Sequence, residues 1–218
     1  MEYRVIRSRR RSVAITINRN GEVVVRAPMR YPIEKIERLL LEKEGWICKH
    51  QSRIAATKIE LPGECLDGYR MLLLGEFYEI RLCAVPCVRV DEGTKTLFVP
   101  MENSEKRLVK WLKERAKATF TDLVLRRAGE MAAPIRSLRL SSARTRWGTC
   151  SANNDIRLCF RLIYAPMDVI DYVVVHELAH CFVKNHSAAY WAKVAAVLPD
   201  YKEKRKWLKD RAALTSIF

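Results

Sequence analysis

The chain has four histidines in 218 residues, and three of them fall together in His176-Glu177-Leu178-Ala179-His180 followed by His186. Residues four apart on an α-helix stack on one face, so the imidazoles at 176 and 180 can converge on one tetrahedral ion. Two ligands alone hold an ion loosely. The six-residue step from His180 to His186 gives the helix room to end and the chain room to turn back, with Asn185 able to adopt a left-handed C-cap conformation. His186 then becomes the third ligand. Three neutral imidazoles leave a fourth position for water, the pattern of a catalytic zinc site. Glu177, one residue past His176, lies about 100° round the helix and faces the water without binding the metal. This set implies metal-assisted hydrolysis. The ion acidifies the water and polarises a carbonyl, and Glu177 acts as general base, then returns the proton to the leaving amine. The bland alternative is an ordinary amphipathic helix, built on Tyr172, Val173, Val174, Leu178 and Phe182, that happens to carry histidines. It would bury two imidazoles and a carboxyl without partners, at kcal/mol cost.

These side chains need a rigid frame, and hydropathy periodicity supplies one. Pro166 introduces a helix expected over 167–183. Before it, Ile135 to Leu140 alternates as a strand, and Arg144 to Cys150 with Ile156 to Ile163 reads as a hairpin around Ser151-Ala152-Asn153-Asn154-Asp155. A long amphipathic helix is expected from Ser104 to Met131, with Leu108, Leu112, Ala116, Phe120 and Leu123 on its buried stripe. Beyond the metal motif, 188–208 reads as helix interrupted near Pro199. The first half is richer in strands. A hairpin of Ser12 to Ile17 and Glu22 to Arg26 turns at Asn18-Arg19-Asn20-Gly21, and a helix follows from Ile33 to about Lys49. After a loop at Pro62-Gly63, strands are expected at 71–74, 77–83, 88–90 and 96–99. The order implies an α+β protein with a β-rich module over 1–102 and a catalytic half over 103–218.

An apolar fraction of 49% supports a real core, and 40 Lys and Arg against 25 Asp and Glu leave a formal charge of +15. Such a chain is drawn to anionic partners. No apolar run approaches membrane-spanning length and the basic start lacks the apolar region of a signal peptide, so no membrane partner is expected. Seven scattered cysteines without a C-x-x-C pair make a poor disulfide or zinc-finger framework and fit a reducing cytoplasm. Cys83 and Cys87 are read as ordinary thiols. The oligomeric state is left open.

Several stretches carry a family resemblance: Arg146-Trp147-Gly148-Thr149-Cys150-Ser151, Arg161-Leu162-Ile163-Tyr164-Ala165-Pro166, Val169 through His180, Asn185-His186-Ser187 through Trp191, and Pro199-Asp200-Tyr201. With Leu61-Pro62-Gly63 and Leu74-Gly75-Glu76 in the first half, the sequence resembles the YgjP-like zinc metallopeptidases, relatives of the SprT-like and Wss1-like proteases. The resemblance implies a zincin-like catalytic half with its active-site helix under a small antiparallel sheet. It also implies His176, His180 and His186 as ligands of one Zn2+ per chain, Glu177 as acid/base, and a peptide or protein substrate whose backbone pairs with an edge of the 144–163 hairpin. Two positions depart from pattern. Cys159 stands where the family often has Asn, and Val183 where metzincins have a turn glycine.

Between Ala132 and Arg161 six arginines face a single acid, Asp155, and no lysine, a net +5. Arg144, Arg146, Arg157 and Arg161 are therefore candidate substrate- or anion-binding residues, since guanidinium forks suit carboxylate and phosphate. They keep two other readings open: a zinc-dependent nucleotide pyrophosphohydrolase, and a nucleic-acid-associated protein whose zinc is mainly structural. Trp147, Tyr190 and Trp191 are read as packing residues.

Overall fold

The computed structural model describes residues 2–18, 21–56 and 65–217. The expected loop at Pro62-Gly63 and the central Arg19-Asn20 of the first turn lie outside them. The chain forms two compact units, Met1–Ile59 and Glu60–Phe218.

The smaller unit is a three-stranded sheet with two helices. β2 (Ala14–Ile17) and β3 (Val23–Pro28) form the expected antiparallel pair, and β1 (Tyr3–Ser8) runs parallel to β3 on its other side. Sequence reading missed β1 because its arginines look like solvated surface. In the structure the Arg7 guanidinium donates to the carbonyls of Pro28, Met29 and Tyr31 at 2.7–3.2 Å, tying the strand end to the loop after β3. The helix expected over 33–49 is two, α1 (Ile33–Glu42) and α2 (Glu44–Ala56), broken at Lys43. Val23, Val25, Ala27, Ile36, Leu40 and Ile47 make the core.

The larger unit starts earlier than expected. β4 (Arg70–Leu73), β5 (Glu76–Cys83), β6 (Arg89–Asp91) and β7 (Thr96–Pro100) form a sheet of order β4-β5-β7-β6. The compact units divide at 59/60, which differs from the boundary expected after residue 102. Ties within the larger unit are visible at the β4-β5 turn. Leu74 and Gly75 donate backbone N–H bonds to the carbonyls of Ile163 and Tyr164 at 2.8 and 3.2 Å. Gly75 sits at φ +86° so close to Pro166 that an added Cβ would lie 2.7 Å from its ring, a position only glycine tolerates. The four-stranded sheet thus fixes the segment that launches the metal-motif helix.

α3 runs from Ser104 to Met131, as the periodicity requires, and buries Leu108, Leu112, Ala116, Phe120, Leu123 and Val124. A second sheet has order β8-β10-β9, from β8 (Ser137–Ser141), β9 (Gly148–Cys150) and β10 (Asp155–Cys159). It is mixed where an antiparallel sheet was expected: β10 pairs antiparallel with β9 but parallel with β8. The strand expected to reach Ile163 stops at Cys159, and Phe160–Tyr164 is a fully buried 3-10 turn. α4 (Met167–Ala179) follows, then α5 (Ala188–Val197) and α6 (Tyr201–Asp210), which are separated near Pro199 as expected. The fold is α+β. No helix among the described residues is long and apolar enough to cross a membrane.

Candidate active site

α4 is buried on almost every side, through Val169, Ile170, Tyr172, Val173, Val174, Val175, Leu178 and Ala179. A helix so enclosed cannot turn about its axis, which fixes the direction of each polar side chain in its last turn. Arg127 of α3 adds a two-pronged clamp on Asp171, with one contact at 2.8 Å. The helix ends at Ala179, four residues before the expected end, and His180 is its C-cap.

The turn that follows brings the third histidine back without a left-handed Asn185. Positive φ among the described non-glycine residues occurs only at Leu74, Lys95, Asn103, Ala132 and Asn154, so Asn185 does not adopt the C-cap conformation open to it. Local polar contacts shape the turn. His180 Nδ1 donates to the Val183 carbonyl at 3.0 Å, and Asn185 Oδ1 accepts the Ser187 N–H at 3.2 Å. A carbonyl only accepts, so His180 carries its proton on Nδ1 and leaves Nε2 with a bare lone pair.

The three histidines meet. His186 Nε2 lies 3.2 Å from His180 Nε2 and 3.3 Å from His176 Nε2, and one ligand atom from each ring falls within 4.8 Å of the others. Zn–N bonds of about 2.0–2.1 Å at tetrahedral angles put ligand nitrogens about 3.3 Å apart. Two of the three spacings match that value, so the donor set can hold a cation. The one proton His186 Nε2 can carry serves only one of its two neighbours, which leaves the other contact without a hydrogen bond. Burial lowers the His176 pKa to about 3, aided by His180, His186 and Arg205, and burial also lowers that of His180. Both rings are neutral at pH 7 and available as ligands.

Aromatic residues hold these rings in place. Tyr190, fully buried on α5, donates its hydroxyl to the His176 carbonyl at 2.9 Å and stacks on His180 with ring centroids 4.4 Å apart. Trp191 stacks on His186 at 5.6 Å and on Tyr201 at 5.2 Å. Both are packing residues, as read from sequence, yet what they pack is the metal motif itself. The buried Nδ1 of His176 makes no hydrogen bond among the described residues; its ring is positioned by Tyr172 and Tyr190 instead.

Glu177 is only 5% exposed, and burial raises its pKa to about 8. It lies against Gly148 at the start of β9, where an added Cβ would come within 2.6 Å of Glu177 Oε1 and 2.8 Å of its Cγ. Sequence reading did not see this contact. A glycine is needed there because a carboxyl occupies its side-chain space. β9 is an edge strand, so an open backbone edge runs directly beside Glu177. Two thiols close the same corner, with Cys150 Sγ and Cys181 Sγ 4.0 Å apart, and Lys184 bridges to the Ser151 carbonyl at 2.9 Å and Asn154 at 2.6 Å.

The four candidate arginines do not converge. Arg161 is buried and donates to the carbonyls of Ile217 at 2.6 Å and Ser142 at 3.1 Å, with its guanidinium over Phe160. It is a structural tie between the C-terminal segment and the loop after β8, which corrects its reading as a substrate-binding residue. Arg144, Arg146 and Arg157 are exposed. Arg136 of the same stretch forms a two-pronged pair with Asp155. Cys83 is partly buried and Cys87 exposed, and among the described residues the histidine trio is the only group of three or more potential ligands.

The family model of the YgjP-like metallopeptidase domain matches residues 11–211. No curated protein matches the chain. Among solved structures, the metallopeptidase zymogen of Pyrococcus abyssi abylysin is similar at 21% identity, over 41% of this chain and 92% of that one, with a TM-score of 0.38.

Proposed function

Because the chain belongs to the YgjP-like metallopeptidase family, we propose that it is a zinc-dependent peptidase in which His176, His180 and His186 hold one Zn2+ and Glu177 moves the proton. The observation that supports this reading is the gathering of one ligand nitrogen from each of the three histidines within 4.8 Å, with His186 Nε2 3.2–3.3 Å from the other two and the His180 tautomer suited to coordination. Three imidazoles suit zinc among the available divalent ions. When bound, the ion supplies Lewis acidity, which acidifies water and polarises the scissile carbonyl.

The chain's own residues do the rest. Glu177 takes a proton from the attacking water and gives it to the departing amine, so one peptide bond and one water become a carboxylic acid and an amine. Burial keeps bulk water from competing for that carboxyl. The substrate backbone lies along the free edge of β9, where Gly148 leaves no side chain between the strand and Glu177. Seven free cysteines suit a reducing compartment, and we place the protein in the cytoplasm.

The test is cleavage of an unstructured protein such as casein by the full chain, before and after chelation. Stripping the metal should abolish cleavage, one equivalent of Zn2+ should restore it, and His180→Ala should not recover. Undiminished cleavage by metal-free protein would overturn the reading.

A further inference from the structure

The sheet that carries β9 has a second free edge, β8, on the side away from Glu177's strand. In a parallel pair, alternate residues aim both backbone groups at the neighbour and the residues between aim theirs outward. β8 pairs with β10 along Ser137–Ser141, and among the described residues 138–141 make no backbone bond outside that ladder. Its outward N–H and C=O groups are an unfilled template for another strand.

The edge opens on a groove of about 520 Å³ between α3 and β8, lined on one side by five consecutive residues, Leu138 to Ser142. That run is roughly 17 Å of extended chain, enough to register about five residues of a partner. Phe120 and Phe160 close the base. Lys113 and Lys117, one turn apart on α3, and Arg139 on β8 set the charge of the rim, and all three are exposed. The single acid in the lining, Glu114, lies 4.0 Å from Lys110, while Lys117 and Arg139 have no salt bridge among the described residues.

We propose that this groove receives an acidic, extended segment of a partner polypeptide, which adds as a strand to the edge of β8 and sets its carboxylates against Lys113, Lys117 and Arg139. Main-chain pairing supplies affinity, and the cations select for acid. A nucleic-acid strand suits the groove less well. Base stacking needs accessible aromatic faces, and Phe120 and Phe160 are 0% and 1% exposed. The site lies at the opposite sheet edge from the hydrolytic centre and does not depend on its activity.

The test uses zinc-loaded full-length protein and a blocked, fluorescein-labelled hexapeptide of alternating Glu and Val, its integrity checked by mass. Binding is followed by anisotropy at low and high salt, and amide hydrogen exchange is followed at 137–142. We expect saturable binding that weakens with salt, slowed exchange across β8, and at least a tenfold loss of affinity in the Lys117→Glu/Arg139→Glu double variant. The same peptide N-methylated at alternate backbone nitrogens keeps its charge but cannot pair, and should also lose at least tenfold. Equal binding of the N-methylated peptide, unchanged affinity of the charge-reversed variant, or no binding at all would overturn the proposal. So would tighter binding of oligothymidylate than of the acidic peptide, or slow exchange of β8 caused by self-association.

Discussion

At the end of α4 three imidazoles and a carboxyl are gathered by one helix turn and one short loop, whereas the arginines of 136–161 have dissimilar surroundings. The histidine region is closed by packing: Tyr190 holds two of its rings, Trp191 the third, and Gly148 makes room for Glu177. The arginine region has no such frame. One guanidinium is buried on carbonyls, one is paired with Asp155, and Arg144, Arg146 and Arg157 are exposed. Closeness in sequence becomes closeness in space where a 3.6-residue period repeats on a fixed helix, and fails to where strand alternation and loops send neighbours to different faces.

If this contrast is right, substitutions in the two regions differ in kind. Removing a ligand has the largest effect. His186→Ala should lower zinc affinity by more than the roughly 10–100-fold that loss of an outer partner costs, seen as a substoichiometric zinc content after dialysis against a competing chelator. Gly148→Ala comes next. Its Cβ must displace the Glu177 side chain, at about 1–3 kcal/mol in denaturant unfolding, and peptide cleavage should fall while zinc content stays at one per chain. Arg161→Ala should cost about 2–4 kcal/mol of unfolding free energy without changing zinc affinity, and Arg161→Lys should not rescue it because one ammonium cannot reproduce the fork to two carbonyls.

A smaller effect separates the regions by pH. In metal-free protein the Glu177 pKa is raised from 4.5 to about 8, so the unfolded chain gives up this proton first. The stabilisation is full below about pH 4.5 and is lost as pH rises to about 8. The difference in unfolding free energy between wild type and Glu177→Gln should therefore shift against the wild type across that window. Arg157→Ala, on an exposed strand face, should change stability by less than about 0.5 kcal/mol in the same assay.

What the sequence yielded follows the same division. The bounds of α3, the β2-β3 hairpin and the helix break at Pro199 were readable because periodicity and proline act locally. The closeness of His176, Glu177 and His180 was readable because i, i+4 spacing is itself a geometry. Three things were not. β1 was masked by its arginines, whose role depends on carbonyls more than twenty residues away. The tie between the four-stranded sheet and the start of α4 includes the contact of Gly75 with Pro166, and the role of Gly148 depends on a carboxyl 29 positions later in the chain. A glycine beside a tryptophan gives no sign of which side chain fills its space. The fate of Arg161 was hidden likewise, since its acceptor Ile217 lies at the far end of the chain.

The most direct test compares peptide cleavage by wild type and Glu177→Gln at matched zinc content. The variant should keep one zinc per chain and lose cleavage by a factor of about 10²–10⁴, the contribution of a positioned acid/base. Cleavage at the wild-type rate by a zinc-loaded Glu177→Gln protein would contradict that role.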